Sequence, residues 1–84
     1  MPTITNFNGI RIVMYYKAKE HNPPHIHVTH SGYFAAVSIQ TGHITDGILP
    51  MKIYEKVRGW VETNQAALLK MWETQIFEKL PPPK

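Results

Sequence analysis

The hydrophobic pattern of this chain changes period once, at Pro50. Before that residue, short runs of strand-favouring residues alternate with tight-turn pairs. After it, apolar residues recur at helical spacing. The two periods are not interchangeable, because side chains alternate across a strand but wind around a helix. Strands first and helices second make an α+β layer fold, not a parallel α/β sheet.

Thr3 to Phe7 is the first strand, and Asn8-Gly9 is the strongest short hairpin signal. Ile10 to Tyr16 resumes, with Ile10, Ile12 and Met14 on one face and Arg11, Val13 and Tyr15 on the other. Lys17 to Pro24 is a polar loop, His25 to His30 the next strand, and Ser31-Gly32 its turn. Tyr33 to Gln40 follows, then Thr41-Gly42, and His43 to Ile48 reads as a short addition. The sum is an antiparallel meander of about four strands. Pro50 suits the first turn of a helix carrying Ile53, Val57, Trp60 and Val61, with Tyr54 alongside. Thr63-Asn64 breaks it, and Asn64 caps a second helix with the stripe Leu68, Leu69, Trp72 and Ile76. Two C-terminal helices thus pack on one face of the sheet. Residues 1–80 form a single domain, and residues 81–84 are a Pro-rich, extended tail.

An 84-residue chain buries about 60% of the surface of its unfolded form, so the core is modest. There is no cysteine, which excludes a disulfide framework and a thiolate zinc site and suits a reducing cytoplasm. The N-terminus lacks the basic and apolar regions of a secretion signal. No run approaches the ~18 apolar residues of a membrane span. The formal charge of +3 permits contact with nucleic acid or an acidic partner without demanding it. On the first helix Lys52, Lys56 and Arg58 mix with Glu55 and Glu62, which argues against a nucleic-acid stripe there. Exposed sheet edges and a small core favour a homodimer on general grounds. Trp60 and Trp72 stand at core spacing, which favours packing over base stacking.

Chemistry concentrates in one stretch, Glu20-His21-Asn22-Pro23-Pro24-His25-Ile26-His27-Val28-Thr29-His30. Imidazole is the commonest metal ligand and a frequent general acid or base. Alternation puts His25, His27 and Thr29 on one face and Ile26, Val28 and His30 on the other. The apolar pair should face the helices. His25 and His27 then point to the opposite side, roughly 7 Å apart along the backbone. The paired prolines stiffen the approach and hold His21 near them. Three readings stay open. His25 and His27, completed by His21 or Glu20, could bind a divalent metal such as zinc. The same histidines could serve as acid and base on a phosphodiester, with Arg11, Lys17 and Lys19 as a phosphate rim and an exposed Tyr16 or Tyr15 stacking on a ligand. Or the face hydrogen-bonds and docks a partner without catalysis.

Two His-x-Thr triplets, His27-Val28-Thr29 and His43-Ile44-Thr45, resemble those of two-histidine phosphoesterases, which are much longer chains with widely separated motifs. Histidine-triad nucleotide hydrolases need a third histidine where Thr29 stands, and His30 faces the wrong way.

The start Met1-Pro2-Thr3-Ile4, the block from Glu20 to Val28, the segment Ser38-Ile39-Gln40-Thr41-Gly42 and Trp72-Glu73 together resemble a small prokaryotic family, domain of unknown function 4160. The resemblance covers nearly the whole chain. It implies a two-gene toxin–antitoxin arrangement in which this chain is the toxin and a small protein from the neighbouring gene neutralises it. It carries over His21, Pro23, Pro24, His25 and His27 as the functional block and leaves out His30 and His43. Two functions follow as expectations. One is a cytoplasmic toxin acting on RNA through His21, His25 and His27, with Arg11, Lys17 and Tyr16 at the substrate. The other is a non-enzymatic, antitoxin-like binding module whose histidine face and Pro81-Pro82-Pro83 arm contact a partner.

Overall fold

The computed structural model describes residues 3–15 and 23–83. It contains β1 (Thr3–Phe7), β2 (Ile10–Val13), β3 (His25–His30), β4 (Tyr33–Ser38), β5 (Ile44–Ile48), α1 (Met51–Thr63) and α2 (Gln65–Thr74). The strands pair antiparallel in sequence order, so β3 is the centre of a five-stranded meander. To the expected meander of about four strands, the short addition over His43 to Ile48 contributes the fifth, Ile44–Ile48, which pairs with β4 through Ile44, Asp46, Gly47 and Ile48.

Two of the turns are dictated by their residues. Asn8 and Gly9 have φ of 50° and 75°, and Ser31 and Gly32 have 45° and 85°. Two successive left-handed residues make the I′ turn, whose twist matches that of the flanking strands. These turns fix register. Phe7 faces Ile10 across the first hairpin, and His30 faces Tyr33 across the second. β4 stops at Ser38, two residues short of the expected Gln40, because the Gly42 amide donates to the Ser38 carbonyl at 2.8 Å and closes a turn. The β4–β5 ladder shifts register between Ala36 and Val37, and the Thr45 hydroxyl donates to the Ala36 carbonyl beside the shift.

One face of the sheet carries Ile10, Ile12, Met14, Ile26, Val28, Ala35 and Val37, all fully buried. They form one core with Val57, Trp60 and Val61 of α1 and Leu68, Met71 and Trp72 of α2. The α+β architecture follows directly from this shared core. Two side chains tie the helices to the turn after β4. The Tyr54 hydroxyl donates to the Gly42 carbonyl at 2.7 Å. The Gln65 amide donates to the carbonyls of Ile39 and Gln40, both at 3.0 Å.

The helix break falls at Asn64, as the sequence suggests, but its side chain does not cap α2. It donates backwards to the Trp60 carbonyl at 2.9 Å and so finishes α1. α2 ends at a left-handed Gln75 with φ of 60°. That turn rotates Ile76 off the expected stripe and leaves it 74% exposed. Met71, three residues after Leu68, fills the stripe in its place. The chain beyond α2 returns to the sheet: the Leu80 amide donates to the Ile4 carbonyl at 2.9 Å. The Trp60 indole N–H donates to the Pro81 carbonyl at 2.9 Å. Among the described residues no helix is long and apolar enough to cross a membrane.

Gly47 tests this description of the β4–β5 pairing. It has φ of +82°, and a β-carbon there would run into the Phe34 carbonyl oxygen. Gly32 has φ of +85° with nothing within 4 Å of a β-carbon. Gly47→Ala therefore adds a steric clash to backbone strain, whereas Gly32→Ala adds strain alone. Urea denaturation should show a loss of about 1–2 kcal/mol for Gly32→Ala and a clearly larger loss for Gly47→Ala.

Candidate functional site

The site grows out of the approach to β3. A proline offers only a carbonyl to its neighbours, and both proline carbonyls here are used. The Pro24 carbonyl accepts the Ile39 amide at 3.0 Å, which extends the β3–β4 contact beyond the strand. The Pro23 carbonyl meets Nδ1 of His25 at 2.8 Å. A carbonyl cannot donate, so Nδ1–H of His25 must. In the neutral ring this fixes the tautomer and makes Nε2 the basic nitrogen. Pro23-Pro24 is thus a rigid entry to the strand and also the partner that orients its first imidazole.

His27 stands two residues on. Its imidazole centroid is 5.0 Å from that of His25, 4.5 Å from Tyr15 in an edge-to-face contact and 5.4 Å from Phe34 in a stacked one. Across the strands it faces Val13 and Ala36, both buried. Nδ1 of His27 is buried within this cluster. Two imidazoles thus sit in an aromatic and aliphatic setting, where electrostatic interactions are stronger than in water. His25 departs from one expectation. Its ring also lies 5.2 Å from the Trp72 indole of α2, so it is not wholly turned away from the helices. It opens β3 at the end of the sheet, where that indole reaches it.

Arg11 lies on the same face. It pairs with Thr29 across β2 and β3, while Val13, two residues on, pairs with His27. Arg11 is therefore a diagonal neighbour of His27, at roughly 7–8 Å between backbones. It is exposed, and its Nε and Nη2 donate to the Thr3 hydroxyl at 3.1 and 3.0 Å. His21, Lys17 and Tyr16, expected beside the pair, lie outside the described residues, as do Lys19 and Glu20. Among the described residues no group of three His, Asp or Glu side chains is gathered to hold a metal. The metal reading hangs on His21 or Glu20, both outside the described residues.

The other histidines are placed apart. His30 faces the opposite way at the far end of β3, with Nδ1 3.2 Å from the Gly9 carbonyl. His43 is exposed in the turn before β5, where its amide donates to the Thr41 hydroxyl.

The sequence profile described as domain of unknown function, DUF4160, matches residues 9–73. This span includes the whole histidine face and both helices almost to the end of α2. The chain belongs to the DUF4160 family. No curated protein matches it, and no solved structure does. The family match therefore says what the chain is related to, and the geometry alone says what its site can do.

Sequence reasoning missed Phe34 and the part played by Trp72. The signal for Phe34 was present. With His30 and Tyr33 flanking a two-residue turn, counting back along the hairpin places Phe34 opposite Thr29 and Ala36 opposite His27. Trp72 carries no such local signal, because its contact with His25 is set by how α2 packs.

The tautomer of His25 gives this site a stability test that does not depend on activity. His25→Ala removes the bond to the Pro23 carbonyl and should cost about 1 kcal/mol, plus the lost ring contacts. His25→Asn keeps an amide N–H near the Nδ1 position and should recover part of that loss in thermal unfolding. Equal destabilisation by both variants would show that the bond contributes nothing.

Proposed function

We propose that this chain is the toxin-like half of a two-gene toxin–antitoxin pair and that it cleaves RNA. The carrying observation is the imidazole pair, 5.0 Å between centroids, with Nδ1–H of His25 committed to the Pro23 carbonyl. That arrangement sets a ring of fixed tautomer, with Nε2 its basic nitrogen, beside a second imidazole, and a base next to an acid is what phosphodiester transesterification uses.

In this reading Nε2 of His25 takes the proton of a ribose 2′-hydroxyl. The oxygen attacks the adjacent phosphorus, and the bond to O5′ breaks as protonated His27 donates its proton there. The products are a 2′,3′-cyclic phosphate and a free 5′-hydroxyl. Arg11, exposed and diagonal to His27, meets the charge on the non-bridging oxygens. The two-gene arrangement implied by the family resemblance supports a neutralising partner, a small protein from the adjacent gene that covers this face.

A second reading draws on the same cluster. His27 is packed against Tyr15, His25 and Phe34, as an interface residue would be. The chain would then be a binding module that docks its neighbour protein without catalysis. Calorimetry against that neighbour separates the two. In the docking reading His25→Ala and His27→Ala weaken the complex while RNA is never cut.

The toxin reading is tested by inducing the chain in a bacterial host with and without the neighbouring gene, then mapping RNA ends. Growth should stop with the lone chain and recover with the neighbour. New RNA 5′ ends should be hydroxyls that ligate only after phosphorylation. His25→Asn should lower cleavage by at least about a hundredfold, the scale of one general acid–base group. Unimpaired growth with the lone chain, or full toxicity from His25→Asn, would defeat the reading.

A further inference from the structure

The helix-free face of the sheet divides into two rows that run across all five strands. The inner row is Asp46, Ala36, His27, Val13 and Thr3, each facing the next across a strand pair. Ala36 and Val13 in it are buried. The second row is Ile48, Phe34, Thr29, Arg11 and Asn6, again each facing the next. All five of its residues are exposed. Its composition is ordered along its length. Ile48 at 68% exposure and Phe34 at 43% make an apolar end, a hydroxyl stands at the centre, and a guanidinium and an amide complete it.

We propose that this row is a one-nucleotide subsite for single-stranded RNA, with the base on Phe34, the ribose over Thr29 and the phosphate at Arg11. The proposal rests on the RNA reading above and adds where a nucleotide lies.

Three features support that occupant. Strands lie about 4.8 Å apart, so the backbones of Phe34 and Arg11, two strands apart, stand roughly 9.6 Å from each other. This separation is of the order spanned by a nucleotide between its base and its phosphate. Second, the Phe34 ring already stacks on His27 at 5.4 Å and 26°, while the residue remains exposed. A base there would extend an existing stack and bring its own ribose toward the imidazoles. Third, Arg11 is held by a neutral hydroxyl, that of Thr3, so its charge is not consumed by a carboxylate among the described residues. Asp46, on the same face but three strands away, accepts the amide of its own neighbour Gly47 at 3.0 Å. A protein helix could cover the apolar end but would gain little from the guanidinium at the other, whereas a nucleotide uses both.

The test is fluorescence anisotropy of the full chain with a labelled ten-nucleotide single-stranded RNA, and with an abasic ribose-phosphate strand of equal length. Phe34→Leu keeps apolar bulk but removes the aromatic face. It should weaken RNA binding roughly tenfold, the scale of one stacked base, and leave abasic binding unchanged. Phe34→Tyr should restore RNA affinity. Arg11→Gln should weaken both probes and reduce the slope of log affinity against log salt by about 0.7, the value for one phosphate on a single strand. Undiminished RNA binding by Phe34→Leu overturns the subsite, and so does equal weakening of both probes by that variant. Loss of neighbour-protein binding by Phe34→Leu, with RNA binding intact, overturns it in favour of a protein interface. No RNA binding by the wild-type chain overturns it as well. RNA binding with the expected Phe34 and Arg11 effects but no cleavage would uphold the subsite and defeat the nuclease, while cleavage unaffected by either variant would do the reverse.

Discussion

The central strand must bury Ile26 and Val28, and everything else at the site follows from that. Both side chains are fully buried between the sheet and the helices. A slip of one residue in β3 would place imidazoles in the core and the apolar pair in solvent. Two apolar side chains, each contributing about 1.5–3 kcal/mol by burial, oppose such a slip. The same alternation that buries them sets His25 and His27 on the other side of the strand, His25 at the sheet's end where the Trp72 indole reaches it. The chemistry of the site is thus held by residues that take no part in it.

Register alone would present two imidazoles without orienting either. The prolines supply the orientation. Pro24 is pinned through its carbonyl to Ile39, and this places the Pro23 carbonyl where Nδ1 of His25 can reach it. The turn that contains Ile39 is itself held by Tyr54 of α1 and Gln65 of α2. A chain of hydrogen bonds therefore runs from the helices through the β4–β5 turn to the first imidazole. This arrangement gives the helices, which are remote in sequence from the histidines, a physical route to their geometry.

Much of this was legible in the sequence because it is local. Asn8-Gly9 and Ser31-Gly32 name their own turn type, and alternation from either turn assigns every face of β2 and β3. Other features depend on packing and left no such trace. Asn64 breaks the helices at the expected place, but its side chain serves α1 rather than α2, a choice that local preference does not decide. The left-handed Gln75 ends α2 before Ile76, where the apolar spacing alone would carry the helix on. The contact between His25 and Trp72 joins residues far apart in the chain. At the site itself, the pairing of His25 with His27 was visible from strand period, whereas Phe34 emerges only when the hairpin register is counted through. His21, Lys17 and Tyr16 lie outside the described residues.

The central claim is that the Pro23 carbonyl holds the proton of His25 on Nδ1 and so makes Nε2 the reactive nitrogen. A long-range proton–nitrogen correlation spectrum of uniformly labelled protein, recorded where the imidazoles are neutral, reads this directly. The account predicts that the His25 Nδ1 resonance has the character of a protonated, pyrrole-like nitrogen and Nε2 that of an unprotonated, pyridine-like one. The reverse assignment, or rapid averaging of the two, would contradict it.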